Sequence, residues 1–165
     1  MQNLCRDSLG PDVESAMFLA LRRENIWPLS DKNVESYTED DLFDVIEFLF
    51  DSVSKPVDGY YHSWNDCGTH YSTFNEAEGR EKYRSVLNPL LAIYGDGFVL
   101  SEDGEILTSP EQGMAQLLEA DLPSLDPSNI EERVRAATIL FRKHKSSLDD
   151  RKHALRDLGK LCAGV

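Results

Sequence analysis

Most of the features by which a chain announces its chemistry are scarce or missing in these 165 residues. Cysteine occurs three times, at Cys5, Cys67 and Cys162, an odd count with wide spacing and no Cys-x-x-Cys pair. That pattern does not build a disulfide framework, and it fits reduced thiols in the cytoplasm. Seven prolines and ten glycines are too few for a fibrous or linker-like chain. The longest unbroken apolar run, Ala16 to Leu21, falls far short of the ~20 residues of a membrane-spanning helix. The first ten residues lack the charged start and apolar stretch of a signal peptide. No phosphate-binding P-loop, GxGxxG, HExxH or GxSxG motif occurs. Base is scarce as well: 17 Lys and Arg stand against 30 Asp and Glu, for a net charge of −13.

What is present is an ordinary globular profile, 41% hydrophobic, 28% charged and 9% aromatic, of a length that suits one domain. The chain is therefore expected to be a single mainly helical domain over 1–165, soluble and cytoplasmic. Charge is unevenly spread. Residues 1–58 carry thirteen acids and five bases, 59–126 twelve and three, and 127–165 five and nine. An acidic body repels phosphate backbones, and binding by counterion release needs Lys and Arg. Direct binding of duplex nucleic acid is not expected, nor is a membrane partner. The basic tail, 127–165, holds Arg142, Lys143, His144, Arg151 and His153, which could touch a phosphate or an acidic partner. A solvated face on two helices explains the same residues without a ligand.

Hydrophobic spacing predicts five to six helices. Pro11 opens the first, over 11–25, with Val13, Met17, Ala20 and Leu21 at helical spacing, and Trp27–Pro28 should end it. Thr38 followed by Glu39, Asp40 and Asp41 is a capped helix start with acids in the first turn. Leu42, Val45, Ile46, Leu49 and Val53 continue it, broadened by Phe43 and Phe50 into what should be a central helix. Residues 56–75 read as a loop rich in aromatics, long enough to be functional. A helix from about Asn75 to Tyr94 follows, with Tyr83, Val86, Leu87, Leu90 and Tyr94 on its buried side, and Pro89 should kink or split it. Asp103–Gly104 predicts one small β-hairpin over about 97–108. Pro110 begins a short helix over 110–120. Ile130, Val134, Ala137 and Phe141 mark the next helix. Ser147 with Asp150 resembles a capping box for the last one, which carries Leu148, Leu155, Leu158 and Cys162. The two C-terminal helices thus form a basic helical hairpin. The apolar end, Leu161 to Val165, implies either that Gly164 caps this helix or that the chain is the N-terminal part of a longer protein.

The best candidate for chemistry is the stretch His62 to His70. His62, Asp66, Cys67 and His70 are four metal-ligating groups within nine residues, and zinc accepts sulfur, imidazole nitrogen and carboxylate oxygen. Structural zinc sites usually pair two ligand knuckles, and here there is one. Packing of the rings among aromatics, with Cys67 as a small hydrophobe, explains the stretch equally. A Cys67–imidazole nucleophile lacks any surrounding signature. No catalytic residue is assigned, and no cofactor is expected unless zinc occupies this loop.

Three stretches, Cys67-Gly-Thr-His-Tyr-Ser-Thr-Phe, Asn88 through Tyr94-Gly-Asp-Gly-Phe-Val-Leu-Ser-Glu-Asp-Gly-Glu-Ile, and Asp150-Arg-Lys-His-Ala-Leu-Arg-Asp-Leu, resemble the N-terminal region of a family of uncharacterised, mainly helical bacterial proteins. Longer members continue into a helical segment reminiscent of abortive-infection and toxin-type RNases. The resemblance implies a bacterial cytoplasmic protein linked to phage defence, and it transfers no active-site residue. The expected role is a non-enzymatic interaction or regulatory module that meets a protein partner, or a second copy, through the C-terminal helices. The alternatives are a metal-binding protein or hydrolase- or nuclease-like enzyme centred on His62–His70, and an acidic mimic of nucleic acid.

Overall fold

The computed structural model describes residues 13–29, 36–63, 68–109 and 127–163. Among these the architecture is mainly α. Five helices, α1 (Val13–Leu21), α2 (Glu39–Ser52), α3 (Glu76–Leu91), α4 (Pro127–Arg142) and α5 (Leu148–Ala163), are joined by small antiparallel strand pairs. The chain divides into two compact units, residues 1–87 and 88–165. The Pro11 helix start, the short helix over 110–120 and the Gly164 cap lie outside the described residues.

In the first unit, α1 stops at a left-handed residue, Arg22 (φ 56°), whose N–H donates to the Phe18 carbonyl at 2.8 Å. The helix therefore ends well before Pro28, the stop expected from sequence, because a left-handed C-terminal residue closes the last turn by itself. Met17, Ile26 and Val45 form a buried cluster with Val13, Leu21, Trp27, Phe48 and Leu49 packed around it. Helix α2 begins as its sequence predicts. The Asp41 N–H donates to Thr38 Oγ1 at 3.2 Å, and the Thr38 N–H and hydroxyl donate to the Asp41 carboxylate at 2.9 and 2.7 Å. Its Phe43, Val45, Ile46 and Phe50 are buried.

Residues 55–62 and 68–75, expected to belong to a loop, form a ladder of strand pairs. β1 (Lys55–Pro56) pairs with β4 (Phe74–Asn75), and β2 (Gly59–His62) pairs with β3 (Gly68–Tyr71). The Val57 N–H to the Thr73 carbonyl (3.0 Å) and the Ser72 N–H to the Asp58 carbonyl (2.8 Å) carry the ladder between them. The sequence hides these strands because most of their residues are exposed on both faces, so no apolar alternation marks them.

Helix α3 starts where Asn75 Oδ1 accepts the Glu78 N–H at 3.1 Å. Its Gly79 is indispensable to the packing. A Cβ there would lie 2.5 Å from Ser54 Cα and 2.7 Å from the Lys55 nitrogen, so only glycine lets α3 lie on the chain leaving α2. The next residue, Arg80, donates to the carbonyls of Phe50 (3.3 Å) and Asp51 (3.4 Å), with its guanidinium 5.3 Å from the centre of the Phe50 ring. Helix α2 has no basic residue in its own last turn, and Arg80 supplies the cation that the negative end of its dipole favours. The Tyr83 hydroxyl donates to the Ile46 carbonyl at 3.2 Å. Pro89 does not split α3, which runs on to Leu91. A proline removes one N–H···O bond and crowds the preceding turn, but only two residues of α3 follow Pro89, so little helix is left to be displaced. Of the residues expected on the buried side, Val86, Leu90 and Tyr94 are exposed, and Leu91 is buried instead.

In the second unit, β5 (Phe98–Leu100) and β6 (Ile106–Thr108) form the predicted hairpin. Ser101 N–H donates to the Glu105 carbonyl at 2.9 Å and Gly104 stands at φ 86°. The connection is therefore the three-residue kind with a left-handed glycine rather than the two-residue turn. Asn88 docks on this hairpin with both ends of its amide, donating to the Leu100 carbonyl (3.2 Å) and accepting the Leu100 N–H (2.8 Å). Helices α4 and α5 then pack together as the expected helical hairpin.

Candidate functional site

Three places answer the expectations from sequence. The first is the β2–β3 hairpin. Its register sets Tyr60 opposite His70 and His62 opposite Gly68, and residues two apart on a strand share a face. Tyr60, His62 and His70 therefore meet on one side. The two imidazoles stack 4.5 Å apart at 9°, and the Tyr60 ring lies 5.8 Å from His62 and 5.6 Å from His70. His62 Nδ1 is buried and has no hydrogen-bond partner among the described residues. Imidazole lone pairs lie in the ring plane, so two stacked, near-parallel rings do not aim at one ion. A chelate would require one ring to turn. Asp66 and Cys67, the other two candidate ligands, lie outside the described residues.

The second is the basic run at the α4–α5 turn. Two of its cations are committed to the hairpin of their own unit. Arg142 Nε donates to the Thr108 carbonyl at 2.8 Å, and the Thr108 hydroxyl donates back to the Arg142 carbonyl at 3.3 Å. Burial pushes the Arg142 guanidinium below its usual range. Lys143 forms an ion pair with Glu105 and bridges to Leu107 through its backbone, and the His144 N–H donates to the Ile106 carbonyl. This run fastens β6 to the end of α4. Arg151 and His153 stand apart from it on α5, where His153 Nδ1 lies 3.3 Å from an Asp157 oxygen.

The third is the outer face of α5. The helix begins on a capping box in which the Asp150 carboxylate accepts from the Ser147 hydroxyl (2.7 Å) and N–H (3.0 Å), while the Asp150 N–H donates to Ser147 Oγ (3.1 Å). The Ser147 hydroxyl first, then its N–H and the nearby His153, hold the Asp150 carboxyl below its usual range. Ala154 is fully buried, and Leu158 and Leu161 are half-buried. Those three share one side of the helix. Leu148 and Leu155, seven residues apart, do not join them and remain 70% and 53% exposed. Lys152 and Gly159 fall on the same row as these leucines, and nothing lies within 4 Å of where a Gly159 Cβ would be. Arg151 flanks the row on one side and Arg156 on the other, both exposed. The sequence reading grouped Leu148, Leu155 and Leu158 together with Cys162 as the apolar residues of this helix. The spacing Ala154, Leu158, Leu161 against Leu148, Leu155, Gly159 is the signal that separates two faces.

A polar hollow in the first unit is lined by Arg23, Glu24, Asn25, Tyr37 and Asp41. Its central charges already satisfy each other, since Arg23 pairs with Asp41. No helix among the described residues is long and apolar enough to cross a membrane. Comparison of the chain with protein-family models, with curated proteins and with solved structures finds no match.

Proposed function

We propose that the chain is a non-enzymatic interaction module whose binding face is the outer row of α5. The observation that carries this reading is the pair Leu148 and Leu155, exposed one heptad apart on a helix whose other side is occupied. Single exposed leucines are common on soluble proteins. A row of them on one helix is the pattern by which amphipathic helices recognise each other. The packing of α4 against α5 supplies a rigid support for that row.

The test is a photo-crosslinking amino acid placed at Leu155, with the same residue at the exposed Lys82 of α3 as a control, expressed in the source cells. A discrete heteromeric adduct from position 155 and none from position 82 is the expected result. Equal labelling from both positions, or none from 155, overturns the reading.

A further inference from the structure

The residues around the α5 row say what kind of partner fits it. Leu148, Lys152, Leu155 and Gly159 succeed one another at i, i+4, i+7 and i+11, spacings that keep side chains on one face of a helix. The flanks of that row carry exposed arginines, Arg151 on one side and Arg156 on the other. The acids of α5 are turned elsewhere or already paired, Asp149 with Lys152 at 3.8 Å and Asp157 with His153 and Lys160. Asp150 is held in its capping box. Gly159 is the second observation. Glycine inside a helix is unfavourable relative to alanine, and at Gly159 no neighbour among the described residues requires it. A bare backbone at the C-terminal end of the row that carries Leu148 and Leu155 permits close approach by another helix, as small residues do at helix–helix contacts.

From these observations, and resting on the interaction reading above, we infer that the outer row of α5 receives an acidic amphipathic helix of another protein, which crosses α5 over Gly159. Its apolar residues cover Leu148 and Leu155, and its carboxylates meet Arg151 and Arg156. Charge decides against a second copy of the same face. Two α5 rows brought together by two-fold symmetry would set these cations against one another, and like charges across an interface are unfavourable.

The experiment uses two synthetic helical peptides of α5's length with identical leucine and alanine positions, one with glutamate at the flanking positions and one with lysine. Binding to the full chain is followed by fluorescence anisotropy. The acidic peptide should bind at least about tenfold more tightly than the basic one, and raising salt from about 0.05 to about 0.5 M should weaken it severalfold because the flanking pairs are surface-exposed. Gly159→Leu has open space for its side chain, so the variant should melt no lower than the parent. It should still lose about tenfold in affinity for the acidic peptide, a fold-change worth ~1.4 kcal/mol. Equal binding of both peptides, undiminished binding by Gly159→Leu, or self-association of the chain that the leucine change abolishes would each overturn the inference. A crosslink at Leu155 with equal peptide affinities would sink the acidic-helix assignment and leave the interaction reading standing. Absence of that crosslink would sink both.

Discussion

Thr38 with Asp41 and Ser147 with Asp150 make the same three hydrogen bonds at the starts of α2 and α5. The two helices that follow differ in what surrounds them. Asp41 is 4% exposed and paired with Arg23, and α2 goes on to bury most of its apolar residues. The box at Ser147 sits at the surface, and α5 leaves two leucines outside. Each unit also contains a helix with an interior glycine. Gly79 is pressed against the backbone of Ser54 and Lys55, whereas Gly159 meets nothing. A local sequence device thus sets where a helix starts. The contacts around it set what the device is worth and what the helix is for.

The contrast is broken most severely at the glycines. Gly79→Ala forces a methyl group into backbone that cannot move aside. It should cost about 3 kcal/mol of stability, at the upper end of overpacking changes, seen as a large drop in the urea midpoint. At the other glycine the sign should reverse, as given below. Next in size is Thr38→Ala, which should cost about 1–2 kcal/mol, because it removes the hydroxyl that accepts the Asp41 N–H and donates to the buried Asp41 carboxylate, leaving only the backbone N–H of residue 38 and Arg23 to hold it. The acid limb of the stability curve sharpens the point. Burial by itself would raise the Asp41 carboxyl. The hydrogen bonds from the Thr38 N–H and hydroxyl, together with the Arg23 charge, outweigh it and hold the carboxyl below its usual range. The folded state therefore favours the ionised form. Its contribution is complete above the ordinary carboxylate range of about 4 and is lost as pH falls below it. Urea melts should show the parent losing stability below that pH, and Thr38→Ala losing less of it. Gly159→Ala should gain up to about 1 kcal/mol from helix propensity alone. Ser147→Ala should show the smallest loss, detectable as fraying of the first turn of α5 by amide exchange. If Ser147→Ala proved as costly as Thr38→Ala, burial would not be what separates the two boxes.

Helices α2 to α5 were legible in the sequence through their apolar spacing, to which Thr38 added a cap signal for α2 and Ser147 one for α5. The β5–β6 hairpin was legible through Asp103–Gly104. The strands β1 to β4 were not, since most of their residues are exposed and they are held by pairings such as Val57 with Thr73. The same hidden register kept the imidazole stack out of sight. His62 and His70 were marked by residue type, but the pairing of Tyr60 with His70 makes them neighbours in a stack. The outer row of α5 was visible as leucines and obscured as a face. Which leucines face inward depends on small Ala154 holding the central contact, and pattern alone weights it least.

The guanidinium of Arg80 ties the last turn of α2 to a residue far along the chain in α3. A helix end normally frays on its own, independently of its neighbours. Here the terminal carbonyls are held by a side chain that arrives only when α3 is docked, with Gly79 seated against Ser54. The end of α2 cannot loosen without α3 releasing it, so the two helices should open to solvent exchange as a single cooperative event.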